Sequence, residues 1–236
     1  MRLVHDAILA LGSVPLPVLE PVVDDDALVG ASVGFLGSHA GGLHVHSHIT
    51  GIDAAHRDSG IGFAVKCAQR EWALARGISE IRWTFDPLLA RNAHFSLTKL
   101  GARGAAFHAD VYGEMADGVN AGDPSDRVEA RWDLTAPVGL PEPDLDALME
   151  AGAQVILSLD GEVWRDTPLV PALLACVPPD VVGLRRSDPG AARTWRDAAR
   201  ASIGRAFDLG YRATGATRDG WWVLEAPERR DESGHG

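Results

Sequence analysis

The stretch Arg57-Asp58-Ser59-Gly60-Ile61-Gly62 joins a segment of alternating apolar residues to a segment with helical apolar spacing. Before it, residues 43–52 alternate like a strand; after it, residues 60–76 follow a helical pattern that Gly77 ends. A strand that enters a glycine-rich turn and a helix N-terminus leaves several backbone N–H groups directed to one place, where the helix dipole adds positive potential. The glycines let a phosphate approach the backbone closely. The stretch therefore predicts an anion site, and its spacing fits neither the G-x-G-x-x-G of dinucleotide folds nor the P-loop.

Strand and helix signals continue on both sides of this stretch. Two of the helical segments end alike, at Leu100-Gly101 and at Leu209-Gly210, each directly before a strand signal. The apolar spacing predicts helices over 2–11, 60–76, 90–100 and 188–209, and strands over 29–36, 43–52, 80–86, 105–112, 128–134, 154–159, 211–217 and 221–225, with an extended edge at 15–21. The mixture predicts an α/β (α+β) protein.

A shift in composition predicts the domain organisation. Three prolines and three acidic residues fall in residues 137–146, which is typical of a linker. We therefore expect a first domain over residues 1–136, a linker over 137–150 and a small α/β extension over 151–225. The charged residues 226–236 are expected to be a disordered tail.

Composition narrows the function classes. Lys and Arg number 22 against 33 Asp and Glu, which gives a net charge of −11 over 236 residues. An acidic chain is a poor general binder of nucleic acid or membrane surfaces. Two cysteines, no signal-peptide pattern and no long apolar run predict a cytoplasmic protein. Residues 57–103 depart from this balance, with eight basic and four acidic residues, as a site for a polyanion requires.

The motif in its context resembles the GNAT superfamily of CoA-dependent N-acyltransferases. In that family R/Q-x-x-G-x-G/A follows the fourth strand and holds the CoA pyrophosphate. The likeness covers about residues 29–112, and some features are similar to a GNAT subgroup that carries a C-terminal extension and is associated with N-acylated, especially N-succinylated, amino acids. Those features are Trp83-Thr84-Phe85-Asp86-Pro87-Leu88, Arg91-Asn92-Ala93, Lys99-Leu100-Gly101-Ala102, Val111-Tyr112-Gly113, Asn120-Ala121-Gly122, Ser125-Asp126-Arg127 and Trp132.

The resemblance implies a mixed, mostly antiparallel sheet flanked by helices, with acetyl-CoA or succinyl-CoA as co-substrate and no metal. It also implies that the family's first strand and helix, which precede the helix expected at 2–11, are missing here. Asn92 matches the family's asparagine near the pantetheine, although an asparagine there also suits a helix N-cap. The implied cofactor-binding residues are Ile52, Arg57, Asp58, Ser59, Gly60, Ile61, Gly62, Asn92 and Lys99.

The candidate catalytic residues come from the strand that precedes the motif and from the strand after the helix. His44, His46 and His48 alternate, so they are expected on one face of the strand. A neutral histidine can remove the proton that a substrate ammonium must lose, and His48 and then His46 are the preferred bases. Asp86 is a further candidate for the base or for an ammonium ligand. The family's usual proton donor, a tyrosine, is replaced by Leu97, and Tyr112 is the candidate substitute.

Three functions are compatible with the sequence. The favoured one is acyl transfer from acyl-CoA to a primary amine, an amino acid among the candidates, by direct attack in a ternary complex. A GNAT-like protein that binds acyl-CoA without turnover is the second, since the tyrosine is missing. A metal-dependent enzyme built on His44, His46 and His48, with Asp53 or His56 to complete the site, is the third. A small-molecule amine is the expected partner, and a homodimer is compatible with the sequence.

Overall fold

The computed structural model describes residues 18–24, 27–56, 59–113, 124–164 and 169–227. The helix expected over 2–11, the motif residues Arg57 and Asp58, and most of the expected tail lie outside these residues.

Ten strands and six α-helices follow one another along the described chain. Two π-helical segments, His94–Lys99 and Arg200–Gly204, continue helices α2 and α5. The strands are β1 (Val18–Asp24), β2 (Ala27–His39), β3 (Gly42–Ile52), β4 (Glu80–Phe85), β5 (Arg103–His108), β6 (Arg127–Asp133), β7 (Gln154–Leu157), β8 (Ala172–Cys176), β9 (Arg212–Ala216) and β10 (Trp221–Glu225). The helices are α1 (Ile61–Leu74), α2 (Ala90–Ala93), α3 (Leu145–Glu150), α4 (Val181–Ser187), α5 (Pro189–Ala199) and α6 (Arg205–Asp208).

The chain divides into two compact units that interleave along the sequence. The first comprises residues 1–83 and 131–137, and the second comprises residues 84–130 and 138–236. This division differs from the consecutive domains expected over 1–136 and 151–225. The expected linker over 137–150 contains helix α3, which Asp144 caps by accepting a hydrogen bond from the backbone N–H of Ala147.

The first unit is built on a long hairpin. Strands β1, β2 and β3 pair antiparallel, and β3 pairs with β4 in parallel through Val45↔Ile81 and His46↔Arg82. Helix α1 begins after β3 and buries the stripe Val65, Lys66, Gln69 and Ala73. Two polar residues on that stripe give this unit a buried hydrogen-bond network, described below.

The same strand–helix–hairpin arrangement occurs twice along the described chain. The strand order β4-β6-β5 is matched by β8-β10-β9, with the last strand of each set in the middle. In both sets the helix contains a π-helical segment and ends at a Leu-Gly pair whose glycine has positive φ, 78° at Gly101 and 93° at Gly210. The strands after these glycines pair antiparallel through Gly104↔Ala213. The similar helix endings seen in the sequence are therefore equivalent positions of a structural repeat.

The expected fold class is confirmed: the protein is a mixed α/β structure with a large, mostly antiparallel sheet and flanking helices. Strands β1 and β8 and helix α4 were not predicted as such, because β1 contains a proline and the others lie among prolines and short apolar runs. None of the helices in the described part of the chain combines the length and apolar composition needed to span a bilayer.

Candidate functional site

The turn before α1 leaves the start of this helix open. Gly60 is the N-cap residue with φ 88°, a left-handed conformation that favours glycine, and no side chain of the described residues caps the helix there. Its carbonyl accepts the N–H groups of Phe63 and Ala64 at 3.0 and 3.1 Å, while Ser59 Oγ donates to the carbonyl of His56 at 2.6 Å. Among the described residues, a Cβ atom added at Gly60 or at Gly62 would find no heavy atom within 4 Å. The N-terminus of this fourteen-residue helix therefore has room for an anion.

Strand β3 contains a β-bulge next to the place where its pairing with β4 ends. Gly34 pairs with Ser47 and Val33 pairs with Ile49, so His48 is the extra residue. A bulged residue is left out of the ladder, and bulges often redirect groups beside active sites. Ile52, the last residue of β3, is half-buried and pairs with Gly30. The candidate base His48 therefore lies in β3, and the glycine turn follows the end of this strand.

The three alternating histidines divide into a pair and a separate residue. The ring centroids of His46 and His48 lie 6.0 Å apart, and the ring of His48 lies 5.6 Å from that of Phe35. His44 instead lies beside His39, with ring centroids 5.4 Å apart. Burial, and then the nearby Arg82 guanidinium, lower the pKa of His44 below its ordinary value.

The metal site that the sequence offered as an alternative, on His44, His46 and His48, is not formed. The first and the third of three alternating strand residues are roughly 13 Å apart, too far for parallel side chains to share one small ion. Within the described residues, the potential metal ligands that come close together are His39, His44 and Glu80.

Lys66 is the residue that sequence reasoning missed. Its side chain is buried, and its Nζ donates to Ser47 Oγ at 2.8 Å and lies 4.4 Å from the centre of the Trp83 ring. Ser47 and Trp83 are the residues of β3 and β4 directly after the last paired residues, His46 and Arg82. Lys66 therefore occupies the place where these two strands stop pairing.

A directional hydrogen-bond chain extends from Lys66 across the first unit. Ser47 Oγ donates to Gln69 Oε1 at 3.2 Å, and Gln69 Nε2 donates to Ser32 Oγ at 2.5 Å. Ser32 in turn lies 2.9 Å from Thr50 Oγ1. All of these groups except Thr50 are buried, so each polar atom needs the next one to remain satisfied.

Burial lowers the pKa of Lys66 to about 7. A lysine counted as part of a basic surface in the sequence is thus an interior amine that titrates near neutrality. The signal for it was present: Lys66 and Gln69 fall at helical spacing on the same stripe as Val65 and Ala73.

Asp86, a candidate base, is held in a buried ion cluster within the second unit. Its Oδ1 and Oδ2 accept from Arg196 at 2.7 and 2.8 Å, and Oδ2 also accepts from Arg185 at 2.7 Å. Burial raises the pKa of this carboxyl, but the hydrogen bonds and charge of the two arginines outweigh it, so the pKa lies below its usual range. A carboxylate that is ionised and fully engaged by two guanidinium groups is a structural centre, and this geometry does not favour the base role expected from sequence.

The other expected site residues lie in the second unit. Tyr112 follows β5 with an exposed ring, 5.5 Å from the Arg127 guanidinium. Lys99 is exposed at the end of the π-helical segment, whereas Leu97, at the family's tyrosine position, is fully buried. Asn92 is exposed inside α2, whose N-cap is Leu89, so the alternative N-cap role considered for Asn92 is wrong.

Neither a model of a known protein family nor any curated protein matches this chain. Solved structures do resemble it. A GNAT family acetyltransferase from Elizabethkingia anophelis with acetyl-CoA bound is 12% identical, with 56% of this chain and 83% of that chain covered and a TM-score of 0.46. Naa20 from Chaetomium thermophilum in complex with a bisubstrate analogue is 17% identical, with coverages of 50% and 66% and a TM-score of 0.41. FeeM, an N-acyl amino acid synthase from uncultured soil microbes, is 12% identical, with coverages of 57% and 88% and a TM-score of 0.39. These TM-scores lie below 0.5, so the function proposed below rests on the residues of this chain and not on these structures.

Proposed function

We propose that this protein is an N-acyltransferase that moves an acyl group from acyl-CoA to a primary amine. The observation that carries the proposal is the open N-terminus of α1 at Gly60 and Gly62, directly after a strand that is bulged at His48. A bulged strand followed along the chain by an anion site suits a substrate with a pyrophosphate at one end and a reactive thioester at the other. The resemblance of the motif to GNAT sequences supports the same reading.

In this proposal the backbone of residues 59–62 holds the pyrophosphate. Arg57 and Asp58, which belong to the same motif, and Ile52, at the end of β3, would complete the cofactor contacts, and Asn92 and Lys99 stay predicted contacts. The acyl group is proposed to be acetyl or succinyl, and the acceptor a small amine such as an amino acid.

The reaction needs a base and a donor to the developing oxyanion. The neutral amine nitrogen attacks the thioester carbon, a C–N bond forms and the C–S bond breaks, and the second proton that the nitrogen loses passes through water to the departing CoA thiolate. We assign His48 as the group that takes the proton from the ammonium, with His46, 6.0 Å from it, as the second candidate. A backbone N–H freed by the bulge is the proposed oxyanion donor.

Calorimetric titration with acetyl-CoA, succinyl-CoA and free CoA tests the cofactor site. Gly62→Asp places a carboxylate in the open space at the start of α1, in ordinary helical backbone. Gly60 is less suitable, because any side chain at φ 88° strains the turn. We expect Gly62→Asp to weaken CoA binding at least tenfold, which is about 1.4 kcal/mol.

The matched control is Ala75→Asp. Ala75 is exposed at the far end of α1, so the same charge is added roughly 20 Å away on the same helix. Its CoA affinity should stay within about twofold of the wild type. Equal affinity in all three proteins, or no binding by the wild type, would remove the proposed site.

The base assignment is tested on turnover, with thiol release followed over a panel of amines. His48→Ala should lower kcat and abolish the acidic limb of the pH profile, because the group whose deprotonation creates that limb is gone. His108→Ala, an exposed histidine in β5, is the control and should change neither. If the acidic limb persists in His48→Ala, the base lies elsewhere, and CoA affinity remains the independent test of the cofactor site.

A binding protein without turnover is the second candidate. Leu97, buried where the family has its proton-donating tyrosine, is the observation that favours it. CoA binding by the wild type with no thiol release for any amine would support this candidate over the enzyme.

A further inference from the structure

Three metal-ligating side chains meet where the hairpin of the first unit turns. His39 ends β2, His44 lies in β3 and Glu80 begins β4. The hairpin brings the two imidazole rings to a centroid distance of 5.4 Å. The parallel register of Val45 with Ile81 then brings Glu80 alongside His44. The cluster therefore joins three strands of the unit and is separate from the glycine turn.

The distances are close to those of a tetrahedral ion site. One ligand atom from each residue lies within 4.8 Å of the other two. His39 Nε2 lies 3.4 Å from Glu80 Oε1. In a tetrahedral zinc site with bonds of about 2.0–2.2 Å, ligand atoms are about 3.3–3.6 Å apart. One edge of the tetrahedron is already formed, and small side-chain rotations close the others.

The position of His44 points to a ligand. The Cε1–Nε2 edge of its ring faces Gly37 of β2, where a Cβ atom would be only 2.5 Å from His44 Cε1 and Nε2. Glycine at this position therefore makes room for the imidazole to lie across β2 beside His39. Within the described structure, His44 Nδ1 is buried and has no hydrogen-bond partner. Buried polar nitrogens are rarely left without one.

We propose that His39, His44 and Glu80 form a zinc site that links β2, β3 and β4, with water as the fourth ligand. Two histidines and one glutamate are a typical three-residue ligand set for Zn²⁺. The half-exposed position of Glu80 and His39 leaves the ion accessible to solvent on one side.

Two neighbours limit the affinity of this site. Arg82 Nε donates to Glu80 Oε1 at 2.5 Å and competes with the ion for the carboxylate. The Gly41 N–H donates to His39 Nδ1 at 3.0 Å, a bond that is lost when Nε2 binds metal and Nδ1 carries the proton. Weak outer-shell support of this kind typically costs 10–100-fold in affinity. A dissociation constant in the micromolar range is therefore expected.

The test uses full-length protein, purified without a histidine tag and titrated with ZnCl₂ by calorimetry. The wild type should bind one ion and gain thermal stability through mass action. His39→Ala and Glu80→Gln should each weaken binding at least tenfold and lose the zinc-dependent rise in Tm. Arg82→Gln should tighten binding several-fold, because the carboxylate loses its competitor.

The control is His48→Ala, which removes a histidine of the same strand outside the cluster. Its zinc affinity should equal that of the wild type. Loss of binding in His48→Ala, wild-type affinity in Glu80→Gln, or no zinc binding by the wild type would each overturn the proposal.

Discussion

The buried amine of Lys66 makes the stability of this protein depend on pH. Burial lowers its pKa from 10.5 to about 7 in the folded state. Between these values the unfolded chain holds a proton that the folded chain does not, so the free energy of unfolding rises with pH across this window. Below about pH 7 both states are protonated, and the folded state carries the full cost of the buried charge, about 5 kcal/mol.

Lys66→Met is the variant that removes this cost. From pH 7 to pH 9 the linkage of Lys66 adds about 2 kcal/mol to the unfolding free energy of the wild type. This contribution should be absent in the variant. At pH 7 the variant should be the more stable protein, although it loses the hydrogen bond to Ser47 and the contact with Trp83, each worth about 1 kcal/mol.

Urea unfolding at pH 7 and pH 9 measures the effect, and the sequence provides the control. Lys66 and Lys99 are the only lysines of the chain, and Lys99 is exposed. Lys99→Met should retain the pH dependence of the wild type. Because the chain contains only two lysines, ¹³C NMR can also follow the titration of the Lys66 amine directly. The same pH dependence in Lys66→Met and the wild type, or titration of Lys66 near 10.5, would refute the reasoning.

Three further perturbations follow from the second unit. Asp86→Asn should destabilise the protein by about 3–5 kcal/mol, measured by urea unfolding, because it removes the carboxylate charge that pairs with two guanidinium groups. A change below about 1 kcal/mol would contradict the ion cluster. Cys176 is buried, and burial raises its pKa to about 11. Iodoacetamide at pH 8 should therefore label the half-exposed Cys67 first, and mass spectrometry can compare the labelling of the two cysteines. Thr98→Val should lower the free energy of unfolding by about 1–3 kcal/mol, because two hydrogen bonds to Ala216 are lost. Thr98 Oγ1 donates to the carbonyl of Ala216 at 2.6 Å and accepts from its N–H at 2.9 Å. An unchanged urea midpoint would show that these bonds contribute nothing.

The elements nearest the glycine turn could be predicted because their signals are local. Alternation over 43–52 corresponds to β3, and the helical spacing over 60–76 corresponds to α1. Gly77 and Gly101 adopt positive φ where the sequence placed helix ends, because a glycine lowers the cost of that conformation at its own position. The bulge at His48 had no such signal, since it arises from how β3 pairs with β2.

The sequence by itself determined where the chain turns, which segments form strands and helices, and where an anion could approach a helix N-terminus. These properties follow from backbone preferences of a few neighbouring residues. Only the tertiary structure decided the environment of each charge: Lys66 became a buried amine, Asp86 became the centre of an ion cluster, and His44 joined His39 and Glu80. Burial and ion pairing are set by residues that are distant in sequence, because a charge's free energy depends on what surrounds it in space.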